Sequence, residues 1–65
     1  GPEALTKREK QVLRCVVDGK TNAEIGQDLG ISEKTVEKHL EHVFSKLDVS
    51  SRVEAAVLAV RHSLL

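Results

Sequence analysis

Three times this chain spells a hydroxyl residue followed three positions later by glutamate: Thr6-Lys7-Arg8-Glu9, Thr21-Asn22-Ala23-Glu24 and Ser51-Arg52-Val53-Glu54. In such a capping box the hydroxyl accepts from the third N–H of a new helix, and the carboxylate accepts from the N–H of the capping residue. Each box therefore opens a helix. Ser32 opens another, because Ile31 before it and Val36 at the fourth helical position can close a hydrophobic staple. Gly19 and Gly30 supply the left-handed residue on which helices commonly end. Starts and stops together predict helices over about residues 7–18, 22–29, 33–47 and 52–62, an all-α four-helix bundle.

The apolar residues follow the same division. Val12, Leu13, Val16 and Val17 line one face of the first helix, and Ala23, Ile25 and Leu29 mark the second. The third carries Val36, Leu40, Val43, Phe44 and Leu47 in one stripe. Only Gly30 and Ile31 stand between the second helix and the cap of the third. A short helix, a tight glycine turn and a longer amphipathic helix form the helix-turn-helix pattern, which other small helical domains share.

In the last helix Val53, Ala56, Val57 and Val60 read as the core-facing stripe, and Ala55, Leu58 and Ala59 lie on another side. The helix is apolar nearly all round, and so small a domain cannot bury every side of it. Ala55, Leu58, Ala59 and His62 are therefore expected to form a dimerisation surface, since small residues let a symmetry mate approach closely. A tightly packed helix with harmless exposed alanines is the plainer alternative.

Composition narrows the function. Sixty-five residues allow one domain, whose core contributes only about 3–5 kcal/mol of net stability. Phe44 is the single aromatic residue, which argues against a surface that stacks single-stranded bases. Ten Lys and Arg balance ten Asp and Glu, whereas a nucleic-acid binder is expected to be basic on at least one face. The arrangement of charge must then decide. Cys15 alone forms no internal disulfide, no apolar run approaches the roughly 18 residues of a membrane span, and no secretory leader is expected. A cytoplasmic location and no membrane partner are expected. Gly1-Pro2 has the form of a scar left by a tag-cleaving protease, so the domain is expected over residues 3–65 of a longer natural chain.

At 100° per residue, Lys34, Lys38, Glu41, His42 and Ser45 lie opposite the apolar stripe of the third helix. Thr35, His39 and Lys46 flank them on one side, Glu33 and Glu37 on the other. Lys34, Lys38, His42 and Lys46 make a basic ridge; Glu33, Glu37 and Glu41 make an acidic one. An ordinary solvated face would alternate opposite charges at i, i+4, whereas like charges there are mildly destabilising. A partner explains the ridges better. Glutamate can accept from the amino group of cytosine in the major groove, while flanking groups hold phosphates.

Several segments together resemble one family, the LuxR/FixJ-type C-terminal DNA-binding domain of bacterial regulators. They are Leu5-Thr6-Lys7-Arg8-Glu9, Gly19-Lys20-Thr21-Asn22-Ala23-Glu24-Ile25, Ile31-Ser32-Glu33-Lys34-Thr35-Val36, His39, Lys46-Leu47, Val49 and Ser51-Arg52-Val53-Glu54-Ala55-Ala56. The resemblance covers nearly the whole chain in order and spacing. It implies a wingless four-helix domain whose third helix enters the major groove of double-stranded DNA and whose fourth pairs with a second copy, forming a homodimer that is weak without DNA. It also implies an N-terminal regulatory domain in the same chain, a receiver or a ligand sensor. Carried over by position, Glu37, Lys38, Glu41 and His42 would face bases; Thr21, Asn22, Lys34, Thr35, His39 and Lys46 would face phosphates. Arg52 and Glu9 would hold the helices together. Members similar to this chain place lysine where Glu37 and Glu41 stand, and the two acids should alter the preferred sequence.

Other chemistries find little support. His39, His42 and Glu41 loosely imitate metal ligands on a helix, but a structural metal needs about four ligands and no second cluster exists. Cys15 suits a small, partly buried hydrophobe better than a nucleophile. No catalytic residue, metal or cofactor is expected. The stronger rival is a protein-interaction module on a degenerate helix-turn-helix, which neutral charge and an apolar last helix would both suit.

Overall fold

The computed structural model describes residues 4–64; Gly1-Pro2, read above as a scar, lies outside the described residues. Four helices follow one another: α1 (Lys7–Val17), α2 (Asn22–Leu29), α3 (Glu33–Leu47) and α4 (Arg52–Arg61). The described residues contain no strand.

The first two capping boxes form as the sequence predicts. Thr6 Oγ1 accepts from Glu9 N at 3.1 Å, and Glu9 Oε1 accepts from Thr6 N at 2.9 Å. Thr21 and Glu24 repeat the exchange at 3.2 and 2.8 Å. The third box closes only by half. Ser51 Oγ accepts from Glu54 N at 3.2 Å, but the Glu54 carboxylate accepts from the Ser50 hydroxyl at 3.1 Å instead of reaching back to Ser51 N.

Every helix ends on a left-handed residue: Gly19 (φ 81°), Gly30 (φ 70°), Asp48 (φ 56°) and Ser63 (φ 50°). The next N–H then donates back to the carbonyl five residues earlier, Lys20 to Cys15, Ile31 to Gly26, Val49 to Phe44 and Leu64 to Ala59. Two of the four stops therefore use no glycine.

Two apolar clusters share α1. Val12, Cys15, Val16, Ile25, Val36 and Leu40 join α1, α2 and α3. Leu13, Val43, Ala55 and Ala59 join α1, α3 and α4. Phe44 lies against both, and Leu64 closes over the second. Ala23, expected inward on α2, is exposed; the buried positions there are Ile25 and Gly26.

Of the stripe expected to face the core on α4, Ala56 packs against the first cluster, but the three valines turn outward. Ala55 and Ala59 are 0% and 1% exposed, whereas Val53, Val57 and Val60 are 72%, 48% and 65% exposed. Helix α4 rests chiefly on α1, and alanines admit the closer approach, so the bulkier residues turn outward. Ala55 and Ala59 are thus removed from the expected dimerisation surface. Leu58 is half-buried and His62 exposed.

Candidate nucleic-acid interface

The turn between α2 and α3 works because a glycine faces it. A Cβ built on Gly26 would sit 2.7 Å from the Ile31 carbonyl oxygen, inside any normal contact. Gly26 lets the start of α3 lie directly against α2. Each of these two helices begins with a capped N-terminus, Thr21 for α2 and Ser32 for α3. Ser32 Oγ accepts from Thr35 N at 3.1 Å and shares a 2.9 Å hydrogen bond with the Thr35 hydroxyl. The N–H groups of the first turn that remain free give each end a positive partial charge, suited to an anion such as phosphate.

Beside these ends runs the solvent face of α3. Lys34, Glu37, Lys38, Glu41 and His42 are all exposed. Ser32, Lys34, Thr35, Glu37, Lys38 and Glu41 line one shallow depression. Among the described residues no ion pair or hydrogen bond engages the side chains of Lys34, Glu37, Lys38 or Glu41. His42 Nδ1 lies 4.0 Å from Glu9 Oε2.

Of the residues expected to face phosphate, Lys34 is exposed, and Thr35 and His39 are half-buried. Thr21 is exposed, with its hydroxyl occupied as a cap. Asn22 is half-buried, and its Oδ1 accepts from Arg52 Nη1 at 2.7 Å. Lys46 departs from expectation. Its ammonium turns inward, donating to Glu9 Oε1 at 2.8 Å and to the Ala4 carbonyl at 3.4 Å, with 18% of the side chain exposed. The ion pair with a buried carboxylate takes it out of the outward-facing set.

Two polar ties hold the interface helices to the rest. The Glu9–Lys46 pair joins α1 to α3. The Lys46 ammonium keeps the Glu9 carboxyl below its usual value of 4.5, against the opposing effect of burial and with help from the Thr6 N–H. Arg52 reaches from α4 to Asn22 and donates through Nη2 to the Lys20 carbonyl at 2.7 Å. Both roles were expected for Glu9 and Arg52. A further bond was not: Lys20, in the α1–α2 turn, bonds Asp28 of α2, and that carboxylate raises the Lys20 ammonium above its usual value. Gly26 was also missed, although a glycine inside a helical pattern is itself a signal of close packing.

Comparison with known proteins gives this geometry a family. The GerE family, described as bacterial regulatory proteins of the luxR family, matches residues 3–59. The chain belongs to the LuxR family of bacterial regulatory proteins. It is 52% identical over 63 residues to the transcriptional regulatory protein LiaR of Bacillus subtilis (strain 168), covering 97% of this chain and 30% of that protein. It is 38% identical over 63 residues to the response regulator protein VraR of Staphylococcus aureus (strain NCTC 8325 / PS 47), covering 97% and 30%. The LuxR-family chain thus spans less than a third of the length of these curated relatives. Among solved structures it resembles the response regulator ChrA of a heme-sensing two-component system, with TM-score 0.92 and 37% identity over 100% of this chain and 32% of that one. It also resembles the DNA-binding domain of the response regulator ComA, solved with the anti-activator RapF, with TM-score 0.84 and 43% identity over 86% and 97%. Membership in the LuxR family implies DNA-binding transcription regulation. Among the described residues no helix is long and apolar enough to cross a membrane, and no group of three or more His, Cys, Asp or Glu could hold a metal ion.

Proposed function

We propose that this chain is the sequence-reading domain of a bacterial transcription regulator, binding double-stranded DNA with α3 in the major groove. The observation that carries the reading is the α2–turn–α3 unit. Two capped helix ends flank an exposed polar face on which Lys34, Glu37, Lys38 and Glu41 have no partner among the described residues. Glu37, Lys38, Glu41 and His42 face base edges. Lys34, Thr35 and His39, with the first turns at Thr21 and Asn22, face phosphates. Lys46 acts instead as an internal tie.

A second copy docks through α4, on the apolar face of Val53, Val57 and Val60 with Leu58 and His62 at its edge. A regulatory domain in the same chain controls the pairing in the cytoplasm. Selection of binding sites from a random duplex library, followed by titration of the enriched sites across salt, tests the reading. An enriched motif with two related half-sites and a steep loss of affinity with salt is expected. A flat salt response and no enrichment would instead favour a protein-interaction module. Neutral net charge and the ComA domain's structure with an anti-activator give that second reading its support.

A further inference from the structure

We propose that Glu37 and Glu41 select cytosines on one DNA strand while Lys38 holds a guanine opposite and Lys34 stays on the flanking phosphate. The sequence this domain reads then carries C·G pairs of one polarity, about two base-pair steps apart. The inference rests on the DNA-reading function above and specifies its target.

The two glutamates have no structural explanation. Glu33 stands in the first turn of α3, where the helix dipole favours an acid. Glu37 and Glu41 lie beyond that turn. They are exposed, repeat a like charge at i, i+4, and leave their possible i, i+3 partners Lys34 and Lys38 unbonded. Four charged groups therefore line one depression with no partner among the described residues.

Their arrangement fits one base pair better than the others. Glu37 and Glu41 form one ridge, and Lys34 and Lys38 form a parallel one roughly 60° further round the helix. A carboxylate only accepts. The donors on the floor of the major groove are the cytosine N4 and adenine N6 amino groups. Beside its amino group adenine carries the N7 acceptor, which repels the second carboxylate oxygen; cytosine carries only a C–H there. Guanine and thymine present acceptors, which repel a carboxylate outright but suit a lysine, as at guanine O6 and N7. An acidic ridge beside Lys38 therefore matches the cytosine and guanine edges of a C·G pair. The rise from Glu37 to Glu41 is about 6 Å, roughly two steps of about 3.4 Å along the duplex. Two acids also oppose phosphate attraction, so sites without the cytosines should be bound poorly.

The test compares motifs enriched from one random duplex library by the wild-type chain, Glu37→Gln and Glu41→Gln. Both residues are exposed and unpartnered, so unchanged melting curves will certify folding. Wild type is expected to enrich two C·G pairs of the same polarity. Each Gln variant is expected to lose roughly 10-fold or more of the cytosine preference at one pair only, shifting toward adenine, which glutamine reads through N6 and N7. An enriched wild-type motif without such pairs, or variants with the wild-type motif, would overturn the cytosine assignment and leave DNA reading intact. Absence of any enrichment would overturn both.

Discussion

Glu9 is 4% exposed, yet its carboxylate caps α1 through Thr6 N and ties α1 to α3 through Lys46. Its carboxyl is held below the ordinary value of 4.5, which fixes the sign of a pH effect. The stabilisation is fully present above the unfolded-state value and is lost as pH falls through the lower, folded-state one. Acid titration of the melting temperature should show a loss beginning below about pH 4.5. Glu9→Gln should cost about 1.5–3 kcal/mol at neutral pH, the worth of a charge-assisted hydrogen bond, and should flatten that acid limb. An unaltered limb in the variant would assign the acid sensitivity to other carboxylates. Lys46 shows what residue-level sequence reading misses. A helical wheel places its Cα beside the outward face of α3, but a four-carbon stem can carry the ammonium back to a buried acid.

At the scale of helices and turns, most of the design was legible because its signals are local. A hydroxyl and a glutamate three residues apart, or a glycine after an apolar stripe, fix a helix end without reference to the rest of the fold. The orientation of α4 is not local information. With apolar residues on nearly every side, periodicity offered two faces, and side-chain bulk favoured the valines. Close approach to α1 selected the alanines. Gly26 depends likewise on a neighbour. Gly26→Ala should destabilise the domain by about 1–3 kcal/mol, as overpacking does, because its Cβ would press on the Ile31 carbonyl; denaturant titration measures this. The α3 stop offers the opposite opportunity. Asp48 holds φ 56°, a conformation costing a side-chain-bearing residue roughly 1–2 kcal/mol. Part of that is offset by the greater freedom of glycine in the unfolded chain. Asp48→Gly should therefore raise stability by about 0.5–1 kcal/mol. A lowered midpoint would mean that the aspartate side chain supplies more than its backbone costs.

For the whole molecule, the outward valines of α4 leave an apolar surface on a domain with little core. Val57→Asp should leave melting nearly unchanged, because Val57 is 48% exposed, yet should lower affinity for a duplex carrying two half-sites about 10-fold or more relative to a single half-site. This follows the loss of linked binding energy. Equal losses on both duplexes would remove α4 from the dimer contact.

The sharing of α1 between both apolar clusters has a consequence for how the chain comes into being. Proteins are made from the amino end, so α1, which packs against both α3 and α4, leaves the ribosome ahead of both. The cluster built on α1, α2 and α3 is complete once Leu40 has been added, while the second must wait for Ala55 and Ala59. A nascent chain can bring the buried members of the first cluster together before α4 exists. A chain ending at Ser50 should therefore retain measurable helix by circular dichroism at low temperature, and a chain beginning at Gly19 should not. Equal helicity in the two fragments would deny α1 this priority. Birth order and packing order coincide, and α4 arrives last as the lid on an assembly already begun.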